Sequence, residues 1–147
     1  SLHDALPISD WLAVAETRGP DGHHLAYTRG RARLSYRTDA EFAPTGADRA
    51  GARLFFVERQ VSLLGGWQAR ITCVDVAAAR DGAVLDPLVV AELGFADGID
   101  NMEGIAVRAD GEDLELVLVS DDNRSPFQRT VVLHYRLPGG ASGGCGP

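Results

Sequence analysis

The stretch DNMEGIAVRADGEDLELVLVSDDN, residues 100–123, decides how the chain is read. Two apolar runs, MEGIAV (102–107) and LELVLVS (114–120), flank the turn signal ADGED (109–113). Each run is short and rich in strand-favouring residues, so the segment reads as one β-hairpin. Acids and amides stand at both open ends: Asn101 and Glu103 at one, Asp121, Asp122 and Asn123 at the other. In a hairpin those ends meet on one edge, where paired strands lie ~4.8 Å apart. With the turn near Asp110 and Gly111, Glu103 faces Ser120 or Asp121, and Asn101 faces Asp122 or Asn123. A slip of one residue decides whether Asp121 or Asp122 shares the face of Glu103.

The same texture continues outward. Strand-like runs occur at WLAVAE (11–16), ARLFFVER (52–59), QARITCVDV (68–76), PLVVAEL (87–93) and RTVVLHYRL (129–137), with turns at GPDG (19–22), RDG (80–82) and ADG (96–98). VDVAAA (74–79) has room for one helical turn, and no long 3.6-residue period occurs. The fold class is therefore all-β: a sandwich, barrel or propeller. An imperfect repeat favours the propeller. Apolar strands stop on an acid at Glu16, at Glu58 and at Asp121-Asp122, and an earlier acid, Asp39 or Glu103, opens the segment in the last two cases. The spacing of roughly 40 to 60 residues suits a four-stranded blade. Each blade would then deliver acids to one rim, and the chain is expected to be a partial β-propeller, the C-terminal blades of a longer one.

The opening SLHDALPI (1–8) reads as a translated sequencing adapter, so residues 1–9 are expected to be non-native and the true N-terminus, with any signal peptide, to be missing. The domain is assigned to residues 10–138, and GGASGGCGP (139–147) to a flexible glycine-rich tail. The 147 residues are 45% hydrophobic and 24% charged, with net charge −7, ordinary for one globular domain. All 14 basic residues are Arg, and an acidic chain without a Lys/Arg-rich run is a poor candidate for nucleic-acid binding. No apolar stretch is long enough to span a bilayer. Cys73 and Cys145 fit no metal spacing; Cys73 reads as a small core residue, and a disulfide between the two is open.

Oxygen-bearing residues dominate the chemistry. Asn101, Glu103, Asp121, Asp122 and Asn123 form the leading cluster; such ligands without His or Cys suit Ca²⁺ or another hard cation. The alternative is that they make turn hydrogen bonds and caps. Glu58-Arg59 ends a strand, with Arg59 binding an anionic substrate or neutralising Glu58, or the two forming a plain surface ion pair. Gln128-Arg129 invites the same readings. His23-His24 follows a turn and reads as an exposed hairpin rather than a metal site. Gly65-Gly66 reads as a turn before Trp67. No nucleophile elbow, phosphate loop or zinc-protease motif is present.

Residues 100–137, with D-N-x-E-G, then S-D-D-N, then Q-R-T and a last strand, resemble the C-terminal signature of the phytase-like, "esterase-like activity of phytase" family. LFFVERQVSLLGGWQARITCVDV (54–76) and RTDA (37–40) are similar to its upstream segments. The resemblance implies a bacterial, exported β-propeller-like protein with phosphoester or ester hydrolase activity. Carried over, the functional positions are Asn101, Glu103, Asp121, Asp122 and Asn123, with Glu58, Arg59, Gln128 and Arg129 behind them. A metal-assisted hydrolase would hold Ca²⁺ on Asn101, Glu103 and Asp121 or Asp122, with Asn123 beside them and Arg59 or Arg129 stabilising developing charge. Glu58 and Gln128 would then bind substrate, a small phosphoester or carboxylic ester, in a protein monomeric at full length. A non-catalytic exported propeller with a Ca²⁺-binding acidic rim is the alternative.

Overall fold

A computed structural model describes residues 12–28, 33–39, 41–141 and 144–145. The adapter-like residues, Trp11 and part of the glycine-rich tail lie outside the described residues. The strands in chain order are β1 (Leu12–Arg18), β2 (His24–Thr28), β3 (Arg33–Tyr36), β4 (Ala43–Ala50), β5 (Arg53–Ser62) and β6 (Gly66–Asp75). They continue with β7 (Val84–Leu85), β8 (Leu88–Leu93), β9 (Met102–Asp110), β10 (Asp113–Ser120) and β11 (Val132–Leu137). Two single 3₁₀ turns, Val76–Ala78 and Phe95–Asp97, complete the list, the first where VDVAAA allowed a helical turn. The protein is all-β.

Three sheets form, with strand orders β1-β2-β3-β7, β4-β5-β6-β8 and β11-β10-β9. All pairings are antiparallel except β3 with β7. The middle sheet lies between the other two, and the two-residue period of β5 and β6 explains how. Leu54, Phe56 and Val74 point one way and pack with Ala26, Leu34, Tyr36 and Leu85 of the first sheet. Phe55, Val57, Ile71 and Cys73 point the other way and pack with Met102, Val107, Leu114, Leu116 and Leu118 of the third. Residues 53–58 of β5 and 69–74 of β6 are all buried, which is why those runs read as nearly continuous apolar segments.

The acids expected to stop the strands of the repeat do so only at β10, which ends at Ser120 just before Asp121; β1 runs past Glu16 to Arg18 and β5 past Glu58 to Ser62. β2, β3, β4 and β7 fall outside the strand-like runs of the sequence. β4, APTGADRA, carries Pro, Gly, Asp and Arg, and yet it pairs with β5 over its whole length. Its composition follows from what it must do. Thr45 bulges out of register between Pro44 and Gly46, and its Oγ1 donates to the Met102 carbonyl of β9 at 2.8 Å. A Cβ on Gly46 would lie 2.9 Å from Glu103 O and Gly104 Cα, so a side chain there would push the second and third sheets apart.

His24 is not on an exposed hairpin. It is 1% exposed, because β2 turns His24, Ala26 and Thr28 together toward the middle sheet. Cys73 and Cys145 form a disulfide that closes a separation of 72 residues, so Cys73 is both a core residue and a crosslink. The tail after β11 folds back to reach it: Ala141 N donates to Glu112 O at 2.9 Å, Cys145 N to Asp75 Oδ1 at 3.3 Å, and Arg53 donates to Gly140 O. This strap ties the third sheet to the bottom of the middle one. Closing so long a loop restricts the unfolded chain, so Cys145→Ser is expected to lower unfolding free energy by about 2–5 kcal/mol. Thermal melts of the variant against the oxidised protein check this, and an unchanged midpoint would show the strap to be ornamental.

Candidate functional site

At the end of the sheets away from the strap, Arg59 of β5 reaches both neighbours. Its Nη2 lies 2.9 Å from Glu16 Oε1 of β1 and 3.1 Å from Glu103 Oε1 of β9. One guanidinium nitrogen of the middle sheet thus joins two carboxylates, one from an edge strand of each outer sheet, with its own Nε buried and without a partner among the described residues. The guanidinium carbon also sits 5.5 Å from the centre of the Trp67 ring. Glu103 is placed there by a bulge: Val119 pairs with Gly104 and Ser120 with Met102, leaving Glu103 as the extra residue of β9. A bulge re-aims its side chain, and here it turns Glu103 away from the hairpin partner strand and toward Arg59. Glu16 lies in a similar irregularity of β1, between Val14 and Arg18.

Glu58, next in sequence to Arg59, points to the opposite face and is fully buried. It is not neutralised by Arg59. Tyr36 Oη donates to Glu58 Oε1 at 2.6 Å, Thr72 Oγ1 reaches the same oxygen at 3.3 Å, and Arg70 Nε donates to Oε2. Arg70 also pairs with Asp39 and lies 4.2 Å from the Phe42 ring centre. Burial, reinforced by the Glu58 carboxylate, pushes the Tyr36 phenol far above its usual range, so it stays a donor. Burial opposes the charge on Arg70, but its bonds to Asp39 and Glu58 outweigh that and hold it protonated. This network binds the first sheet to the second.

The expected oxygen cluster at the β9–β10 hairpin separates into parts. Asn101 is buried and pairs with Asp121 through the backbone, Asp121 N donating to Asn101 O at 3.0 Å and Asn101 Nδ2 to Asp121 O at 3.2 Å. Its Oδ1 has no partner among the described residues. Asp121 Oδ1 accepts from Asn123 N at 3.1 Å and Asp122 Oδ1 from Arg124 N at 2.8 Å, both turn hydrogen bonds. Asn123 and Arg124 adopt φ of 49° and 56°, and Asn123 Nδ2 donates to Gln128 Oε1 at 3.2 Å. Arg129 is largely exposed; its Nε is 3.8 Å from Asp100 Oδ2, while its backbone N donates to that oxygen at 3.0 Å. Among the described residues, no three His, Cys, Asp or Glu side chains gather in a group able to hold a metal. Glu103 is committed to Arg59, and the hairpin's aspartates each commit an oxygen to their own loop.

The structure therefore brings Glu103 and Arg59 together and adds Glu16, which the sequence flagged only as part of a repeat. It keeps Glu58, Asp121, Asp122, Asn123, Gln128 and Arg129 out of that contact. Arg70, Tyr36, Thr72 and Asp100 were not singled out. Arg70 carried a usable signal, since a charge inside a run buried on both faces needs a buried partner. Asp100 caps the loop from below, its Oδ1 accepting from Asn101 N at 2.9 Å.

With this geometry in hand, comparison with protein families is decisive: residues 11–124 match the Phytase-like family, described as "Esterase-like activity of phytase". The chain belongs to the phytase-like family. The match covers the Glu16–Arg59–Glu103 contact and the SDDN loop, and it ends before β11. No curated protein and no solved structure matches. In this phytase-like domain the residues that carried the resemblance thus serve two ends. Glu103 and Arg59 meet at the junction of the sheets, while Asp121, Asp122 and Asn123 shape a loop.

Two measurements test the electrostatics. Removing one member of a buried charge pair strands the other, so Arg70→Met is expected to cost about 3–5 kcal/mol in denaturant unfolding. His24 offers a pH test. Its Nδ1 lies 2.9 Å from the Ala15 carbonyl and its Nε2 3.3 Å from Thr38 Oγ1. Burial foremost, aided by the charge of Arg18, lowers its pKa below the ordinary 6.5. The unfolded state then takes up a proton first, so stability is full above pH 6.5 and declines as pH falls below it. His24→Gln should flatten that acid-side decline; an equally steep decline in the variant would refute the assignment.

Proposed function

We propose that this chain is three consecutive blades of a phytase-like β-propeller and that the Glu16–Arg59–Glu103 junction is the reaction centre of an ester-bond hydrolase. The blade reading is supported by three meanders packed face to face in series, the middle one buried on both sides. The site reading is carried by one observation: Arg59 Nη2 bridges Glu16 and Glu103 where the sheets converge. In this reading Glu103 is the general base. It takes a proton from water as the hydroxide attacks the ester carbon or phosphorus, and returns it to the leaving alkoxide. Arg59 turns a donor to the oxygen that gains charge, and Glu16 keeps the guanidinium in place when Glu103 becomes protonated. The substrate is a small ester, carboxylic or phosphoric. An exported protein fits the disulfide, since such bonds persist in oxidising compartments.

A second reading is a non-catalytic module. It is favoured by the aspartates of the SDDN loop, which satisfy their own turn. Steady-state assays of the full-length gene product on a nitrophenyl phosphate and a nitrophenyl acetate separate the two. Glu103→Gln should lower kcat/KM on the preferred substrate by about 100-fold or more, with the melting temperature little changed. Unchanged turnover alongside a lowered melting temperature would favour the structural module instead.

A further inference from the structure

The β5–β6 hairpin outgrows its own sheet. β4 last pairs with β5 at Arg59, and β8 last pairs with β6 at Ala69. The rungs Gln60 with Gln68, Val61 with Trp67 and Ser62 with Gly66 continue alone. The projecting tip carries Val61, Leu63 and Leu64, which are 61%, 105% and 103% exposed. Across QVSLLGGWQA, residues 60–69, there is not one charge, in a chain that is 24% charged. The tip's backbone is partly self-satisfied: Gly65 N donates to Ser62 Oγ at 2.8 Å, and Gly66 takes φ of +64° in the turn. Trp67 stands at the base, between the finger and Arg59.

We propose that this finger seats the protein on a zwitterionic lipid surface. Its shape decides against a protein partner. A convex tip of three aliphatic side chains falls well short of the about 800 Å² that each partner of a standard protein interface buries. Insertion into the headgroup boundary needs no matching surface, only apolar residues at the tip and an amphipathic ring near the interface level. Charge selects the kind of lipid. The cation nearest to the finger in sequence, Arg59, is occupied by two glutamates, the finger itself carries no charge, and the chain's net charge is −7, so among the described residues the finger offers no free cation to anionic headgroups. Arg59 and the finger share one hairpin, so docking would hold the Glu16–Arg59–Glu103 rim facing the membrane. The docking itself does not depend on that rim being catalytic.

Flotation of the intact protein with phosphatidylcholine vesicles tests the proposal. The protein is expected to float with the vesicles, and Leu63→Asp with Leu64→Asp to reduce partitioning roughly tenfold or more at an unchanged melting temperature. Adding anionic lipid should not strengthen binding. Absence of flotation at millimolar lipid overturns the proposal, as does equal flotation of the double variant. A concentration-dependent dimer that the double variant dissolves, without vesicle binding, would assign the finger to a second copy of the chain.

Discussion

The β5–β6 hairpin is buried on both faces, and every other feature is arranged around that fact. A strand with two apolar faces cannot sit at a surface, so it requires a sheet on each side. Phe56 and Phe55, adjacent in sequence and each at most 1% exposed, belong to different cores for this reason alone. The first and third sheets are held apart by a layer to which both are bound, and the ends of that layer become the places where all three meet.

Polar groups inside such a layer are expensive unless satisfied, and this protein satisfies them across sheets. Glu58 and Arg70 lie where β5 and β6 face the first sheet, and Tyr36, Thr72 and Asp39 complete their hydrogen bonds. A buried pair of this kind adds little net stability, but it fixes how the two sheets register. On the other face, Thr45 of β4 reaches the Met102 carbonyl, and Gly46 allows the backbones of β4 and β9 to approach. The bulge at Glu103 sits beside that approach. Packing of the sheets and aim of the site residue are therefore one problem, solved by two irregular strands.

Much of this was legible. The hairpin of residues 102–120, its turn and the gathering of its ends follow from apolar alternation around ADGED, and β5, β6, β8 and β11 announce themselves in the same way. β4 did not, because Pro44, Thr45 and Gly46 are chosen for an inter-sheet contact and not for strand propensity. His24 was misread since a polar residue beside a turn looks exposed; only the face shared with Ala26 shows that it points inward. The bulge at Glu103 defeated the register argument, because an inserted residue breaks the strict period of two on which that argument rests.

By itself, the sequence determined the all-β class, most strands, the family and the short list of residues that includes Glu103 and Arg59. Those depend on local patterns and on motifs contiguous in the chain. Tertiary structure alone decided that Arg59 answers Glu16 and Glu103 and not its neighbour Glu58. Adjacent residues on a strand point to opposite faces, so Glu58 turns to Tyr36, Thr72 and Arg70 while Arg59 reaches Glu103 of the third sheet and Glu16 of the first, the latter 43 residues away. The same holds for the crosslink of Cys73 to Cys145, which required a tail folded back across two sheets before the two sulfurs could meet.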